Sequence, residues 1–445
     1  MEGLEISVVK LSEVLEDVDL RLESEYYNSE HIVFNSVQGC DIESFSQYGT
    51  SEDLNEEGKG FPILRLNEFD SFFISKPSKY CDLISKETFE LLKLKKNDVL
   101  ICRTNGNPKY VGKAAIVPKN YEYAFASYVF RLRPKTDIIN SATLVSFLNS
   151  KYGRIEIEKY SMVGNQANFS PAKFRQIAIP ILSKELNNKI EEIVYKSFEL
   201  LEESKSLYSQ AEDLLLGELG LKDWQPKNTL YTTKKFSDFA QSGRLDAEYY
   251  QPKYDEIERE LSKKNTLEIS KVGQICDKNF TPLDNVEYKY IELADIGAYG
   301  EITGCTMAIG SELPTRARRI VHKGDVLISS IEGSLQSCAI VPKEFDNALC
   351  STGFYVMTPN KINAETLLIL LKSTVIQLLL KKGCSGTILT NISKDEFLKI
   401  KIPILPEAIQ TKIASLIQQS FECKAQSKQL LEDAKRMVEA EIEKN

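Results

Sequence analysis

Apolar residues recur at alternating spacings of three and four along two stretches of the chain. The first stretch runs through Ile190, Ile193, Ser197, Leu200, Ser204, Leu207, Ala211 and Leu214. The second runs through Ile413, Leu416, Ser420, Cys423, Ser427, Leu430, Ala434 and Met437. This is the stripe of a helix that packs lengthwise on another helix. Ser or Ala at every second layer predicts a close approach. About 35 residues at 1.5 Å rise give helices of about 50 Å. Gly217, Gly220 and Pro226 end the first one. The stripes match residue by residue at a shift of 223, as Ile190 with Ile413 shows.

The same shift relates the rest of the sequence. Arg21-Leu22-Glu23-Ser24-Glu25-Tyr26-Tyr27 returns as Arg244-Leu245-Asp246-Ala247-Glu248-Tyr249-Tyr250. Asp98-Val99-Leu100-Ile101 returns as Asp325-Val326-Leu327-Ile328, and Ala115-Ile116-Val117-Pro118-Lys119 as Ala339-Ile340-Val341-Pro342-Lys343. Ile177-Ala178-Ile179-Pro180-Ile181-Leu182 returns as Ile400-Lys401-Ile402-Pro403-Ile404-Leu405. Kept order across the whole length marks an internal duplication. Short β-branched runs at 98–102, 114–117, 128–132, 325–329 and 354–357 predict strands, and 141–150 and 364–372 predict helices. The expected fold is α/β (α+β). Two pseudo-symmetric globular domains, 1–182 and 223–405, are each followed by a long helix, 183–222 and 406–445, and the helices pair as an antiparallel coiled coil. Such pairing would put one domain at each end of a rod, related by a pseudo-twofold axis.

Composition narrows the function. No apolar run among the 445 residues reaches the ~18 a membrane span needs, and the acidic N-terminus lacks a signal-peptide pattern, so no membrane is expected. Nine scattered cysteines without a Cys-x-x-Cys predict reduced thiols in a cytoplasm. His31 and His322 are the only histidines, too few for a zinc site or a His-based triad. Motifs for adenine methylation, an ATP phosphate loop, a zinc protease helix or a nucleophile elbow are absent from the sequence. The net charge of −8 conceals a segregation. Residues 1–60 hold 3 Lys/Arg against 15 Asp/Glu, a balance of −12, and residues 61–180 hold 19 against 10, a balance of +9. A basic domain beside an acidic lead-in suits a polyanion, although segregation without a partner has the same signature. Residues 281–405 are neutral, with 13 of each sign.

The plan resembles the specificity (S) subunit of type I restriction–modification enzymes. The resemblance covers essentially the whole chain and rests on Arg-Leu-x-x-Glu-Tyr-Tyr opening each half, Lys-Gly-Asp-Val-Leu-Ile at 323–328, Ala-Ile-Val-Pro, and Ile-Pro-Ile-Leu-Pro at 402–406 followed by Gln410 and Ile413. The first copy departs with Lys96-Asn97-Asp98 for Lys323-Gly324-Asp325, and with Ser183-Lys184-Glu185 for Pro406-Glu407. The resemblance implies two target-recognition domains, each reading one half of a split site on double-stranded DNA, with the helices as a ruler. It implies methyltransferase and nuclease/translocase subunits as partners. This chain would carry no catalysis and no cofactor; S-adenosylmethionine, ATP and Mg2+ would sit on the partners. A specificity subunit of another multisubunit DNA-modifying system and a two-headed protein-interaction scaffold are the competing readings.

DNA reading needs cations for phosphates and forked donors or amides for base edges. Arg103-Thr104-Asn105-Gly106-Asn107-Pro108-Lys109-Tyr110 supplies both directly after a predicted strand. It is a groove-contacting loop or an ordinary polar turn. Its counterpart, Ser329-Ser330-Ile331-Glu332-Gly333-Ser334-Leu335-Gln336, is chemically different, with Ser330 and Gln336 as candidates. A second pair of segments holds Asn165 and Gln166 in the first half and Thr387 in the second; Asn168 and Asn391 at their ends read as helix N-caps or base contacts. Arg316, Arg318 and Arg319 form a phosphate clamp or a solvated run, and Arg65 is a weaker candidate. The Arg-Leu-x-x-Glu-Tyr-Tyr elements read as structural, packed on the long helices or a partner subunit.

Overall fold

The computed structural model describes residues 8–16, 34–161, 167–226, 229, 231–386 and 390–444. The first Arg-Leu-x-x-Glu-Tyr-Tyr element, 21–27, lies outside them. The chain divides into two compact units, Met1–Glu202 with Lys424–Asn445, and Glu203–Cys423.

In the first unit a four-stranded antiparallel sheet runs in the order Glu43–Tyr48, Val129–Pro134, Val99–Cys102, Ala114–Ile116. Side chains alternate across a strand, and the central strand feeds two cores. Val99 and Ile101 pack with the helices Ser141–Leu148 and Lys151–Tyr160. Leu100 packs with Ile63, Leu64 and Phe125 of a smaller sheet, ordered Ala124–Phe125, Phe61–Leu64, Lys79–Cys81. A strand with both faces covered reads as an unbroken apolar run, which is why Val-Leu-Ile-Cys does not alternate with polar residues.

The second unit repeats this plan. Its main sheet is ordered Gly273–Ile275, Phe354–Pro359, Val326–Ser329, Cys338–Ile340. Val326 and Ile328 join one core and Leu327 the other. The companion sheet here has four strands, Thr306–Ile309, Glu287–Ile291, Leu349–Ser351 and Ala317–Ile320. The turn ahead of the central strand shows how the copies diverged without changing shape. Gly324 has φ +87° and Asn97, its counterpart, φ +71°. Asn is the residue that best replaces Gly in the left-handed region. Asp98 and Asp325, next in line, are both buried and cap the turn through the amides of Lys95 and His322 at 2.9 and 2.8 Å.

The long helices are α1 (Lys184–Leu219) and α2 (Glu407–Ile442), 36 residues each. In the first unit the opening turns of α1 lie with the closing turns of α2; in the second the order is reversed, so the two run antiparallel. The small layers meet, with the close approach the sequence predicts: Ser197 faces Ser427 and Ser204 faces Ser420. The same register sets Ile190 against Ala434 and Ala211 against Ile413, large beside small. The alternate layer differs from the sequence expectation. Val194, Leu201, Tyr208 and Leu215 are buried in α1, and Ile417, Leu431 and Val438 in α2. Ile193, Leu214, Leu416 and Met437 are only partly buried, packed at the edges of the cores. Each helix packs on its own unit as well as on the other helix. The buried stripe is therefore wider than a two-helix seam, and its centre moves one residue.

Candidate nucleic-acid interface

In the first unit the chain leaves the central strand at Cys102 and forms a second, short strand, Thr104–Asn105. This pairs antiparallel with Ala167–Asn168, with Asn105 opposite Ala167 and Thr104 opposite Asn168. Two polar segments separated by some sixty positions in the sequence are thus brought together. Main-chain bonds at Arg103 fasten the junction: its N–H donates to the Tyr128 carbonyl at 2.8 Å, and its carbonyl accepts from Phe169 at 2.7 Å. The Arg103 guanidinium lies over the Tyr48 ring, 5.1 Å from its centroid. Tyr48, Tyr110 and Tyr128 are all substantially exposed, at 45, 48 and 59%. Exposed tyrosines around an arginine are suited to nucleotides, since rings stack and guanidinium binds phosphate or guanine. The sequence reading quoted Tyr110 within its loop but gave it no role, and it missed Tyr48 and Tyr128, which reach Arg103 from distant segments. Lys109 is exposed on the turn Pro108–Tyr110, which Asn107 caps. Arg154 holds that turn from beneath, donating to the carbonyls of Val111 at 2.8 Å and Lys109 at 3.4 Å. Asn165 and Gln166 lie outside the described residues.

The second unit builds the same junction from different side chains. Ser330 N–H donates to Gly353 at 2.9 Å, and the Ser330 carbonyl accepts from Ile392 at 2.8 Å. Ile331 bridges Asn391, and Glu332 N–H donates to the Thr390 carbonyl at 3.0 Å. The Thr390 hydroxyl also bonds the Glu332 carboxylate. The arginine strand joins the cluster here, because Thr352 donates to the Arg316 carbonyl at 2.9 Å. In the first unit the adjoining position is taken by Thr50, bridged to Ala126.

Several candidates have their side chains committed elsewhere. Ser330 is buried and its hydroxyl donates to Gly353. Gln336 donates to the Lys372 carbonyl at 3.4 Å, beside a helix. Arg65 bonds Glu68 and Ser78 at 3.1 and 3.0 Å, so its charge balances a buried carboxylate. Arg316 pairs with Glu292 at 3.2 Å and contacts the Tyr290 hydroxyl. Arg319 is half-buried, and its buried Nε and Nη1 have no hydrogen-bond partner among the described residues. Arg318 is exposed and spends only its Nε, on the Thr315 carbonyl. Thr387 lies outside the described residues. The positive balance of residues 61–180 is likewise only partly on the surface. Arg131 is buried with Asp98, which also holds Arg133. Burial lowers the Arg131 pKa while Asp98 opposes the shift.

The expected N-caps also move. Ser170 and Ser393 cap the short helices Pro171–Phe174 and Lys394–Lys399. Asn168 and Asn391 instead occupy the strand pairs. The second Arg-Leu-x-x-Glu-Tyr-Tyr element is structural as expected, but it packs elsewhere than on α1 or α2. Arg244 stacks on Tyr249, pairs with Asp246 and donates to the Cys384 carbonyl, closing onto the end of the helix Thr374–Gly383.

Residues 262–436 match the family model described as the type I restriction modification DNA specificity domain. That stretch, which includes the second junction, carries such a domain, and the resemblance to specificity subunits holds. No curated protein matches the chain. Among solved structures, the S subunit of a type I restriction–modification system from M. genitalium is 14% identical, with 93% of this chain and 96% of that one covered and a TM-score of 0.43. The HsdS subunit from Thermoanaerobacter tengcongensis is 13% identical, covering 92 and 96%, with a TM-score of 0.30. A structure addressing complex assembly and conformational transition of the type I R-M system is 15% identical, covering 92 and 97%, at 0.30. The family model speaks for residues 262–436. No helix among the described residues is long and apolar enough to cross a membrane.

Proposed function

We propose that this chain is the noncatalytic DNA-specificity subunit of a type I restriction–modification complex, reading a bipartite duplex site with one half-site per unit. One observation carries the reading: a repeated framework ends, in both units, in the same two-segment junction with different side chains. Packing selects for sameness in the frame, whereas reading two unlike half-sites requires difference at the junction. The target-recognition domains correspond to 1–182 and 223–405, and the spacer helices to 183–222 and 406–445. Methyltransferase and nuclease subunits supply the chemistry, together with their S-adenosylmethionine, ATP and Mg2+. This chain contributes the address.

The test is to map methylated bases in DNA from cells that carry the chain with its methyltransferase subunits. A bipartite motif with a fixed gap is expected. A continuous motif, or one that persists when the chain is removed, overturns the reading. Binding to duplex must also weaken steeply between 50 and 200 mM salt, as phosphate contacts demand.

A further inference from the structure

We infer that Asn168 and Asn391 are the matched base-reading residues of the two half-sites, each contacting an adenine, and that their cross-strand neighbours Thr104 and Ile331 help set what differs between the halves. The inference rests on the DNA-reading function proposed above and gives it particular side chains.

Three observations meet on these residues. First, the caps belong to Ser170 and Ser393, which accept from Lys173 and Glu396 at 3.4 and 3.3 Å. An Asn two residues before each cap has no work in the helix, and neither carboxamide is hydrogen-bonded among the described residues. Second, the two occupy the same structural place. Asn168 precedes Phe169, which donates to Arg103; Asn391 precedes Ile392, which donates to Ser330. Identical residues at matching positions stand out where the surrounding loops have diverged. Third, the face is the right one. Residues directly opposite on antiparallel strands project to the same side, so Asn168 shares a face with Thr104 and Asn391 with Ile331. Ile331 reaches toward Gly353: a Cβ placed on that glycine would lie 3.6 Å from the Ile331 Cδ1. Gly353 is the counterpart of exposed Tyr128, whose carbonyl takes the Arg103 N–H in the first unit as the Gly353 carbonyl takes that of Ser330 in the second.

The chemistry follows from the side chains. A carboxamide offers one donor and one acceptor in a fixed fork, which matches N7 and the N6 amino group of adenine in the major groove. Thr104 adds a hydroxyl that can meet either donor or acceptor. Ile331 adds only apolar surface, suited to a thymine methyl. The shared amide and unlike neighbours therefore describe half-sites with a common adenine and different flanking bases.

The experiment uses the full chain with its methyltransferase subunits and duplex pools randomised in one half-site at a time. Asn168→Ala is expected to lower the preference for adenine at one position of one half-site, on the order of ten- to a hundred-fold, with the other half unchanged. Asn391→Ala is expected to do the same in the opposite half. Unchanged preference in both variants overturns the inference, and so does equal weakening of both halves by either one. Thr104→Val, which keeps the side-chain shape, and Ile331→Thr, which keeps the branched Cβ and exchanges apolar surface for a hydroxyl, serve if an alanine variant melts early. Each must shift a base preference in its own half only, and no shift overturns the inference. A wild-type complex without any bipartite preference would overturn the proposed function itself, whereas a bipartite preference that survives both Asn substitutions overturns only this assignment.

Discussion

The hydroxyl oxygens of Ser197 and Ser427 lie 2.8 Å apart between α1 and α2 in the first unit, and Ser204 and Ser420 repeat the contact at 3.0 Å in the second. Each pair also spends a hydroxyl on the facing main chain: Ser197 donates to the Ser427 carbonyl at 3.0 Å and Ser420 to that of Ser204 at 2.8 Å. Only a small polar residue lets two backbones approach this closely while leaving no hydroxyl unpaired.

Ser197→Leu should therefore destabilise by about 1–3 kcal/mol through overpacking. Ser197→Ala should cost about 1–3 kcal/mol through the buried Ser427 hydroxyl it leaves without its partner. The double variant Ser197→Ala/Ser427→Ala should cost less than the two singles added, because each single leaves a buried hydroxyl behind. Thermal melting of the purified chain measures all three. Additive costs contradict the pairing.

Asp98 and Asp325 occupy the same place but hold different partners. Asp98 faces Arg131 and Arg133, with Arg131 2% exposed. Asp325 bonds the Thr358 hydroxyl at 2.6 Å and carries no ion pair among the described residues. Asp98→Ala strands a buried guanidinium and should cost about 3–5 kcal/mol. Asp325→Ala removes hydrogen bonds from uncharged donors and leaves no buried cation behind, so it should cost about 1–3 kcal/mol. Denaturant titration separates the two, and equal losses would contradict the assigned partners.

Arg103 and Arg65 should behave oppositely. Arg103→Ala should weaken duplex binding, reduce the salt slope by about 1 and alter one half-site only. Arg65→Ala should leave the recognised site unchanged but lower stability, because Glu68 stays buried without its cation. A stable Arg65→Ala variant that has lost its DNA site would reverse this assignment.

The pair Glu43–Arg175 predicts an acid-dependent step. Burial pushes the Glu43 carboxyl up, but the hydrogen bonds from Arg175 and Ser46 outweigh it and leave the pKa below 4.5. A carboxylate depressed in the folded state contributes stability that is complete above its unfolded pKa and fades as pH falls through the folded one. The Glu43→Gln variant should therefore lose less stability than the parent between about pH 5 and 3. Parallel stability curves for the two would contradict the prediction.

The frame was legible because it is made of periodicities. The Val-Leu-Ile-Cys strand, the Ser and Ala layers and the ordered repeats needed no knowledge of distant contacts. The alternate helix layer was misplaced by one residue because a stripe facing two partners is centred between them, and the second partner, the domain core, is invisible along the sequence. Site residues were legible only as polar loop chemistry. Arg65 and Ser330 looked available, yet a buried carboxylate and a carbonyl, both supplied by the fold, had claimed them.

The duplication, the strand cores and the Ser and Ala layers were legible in the sequence, since each follows from local spacing; that Ser197 meets Ser427 and Ser204 meets Ser420 came from the fold. The packing of distant segments settled which polar groups remain free. It paired 104–105 with 167–168, laid Tyr48 under Arg103, and released Asn168 and Asn391 by giving the caps to Ser170 and Ser393. Whether a donor is satisfied depends on neighbours in space, and those neighbours come from segments far apart in the chain.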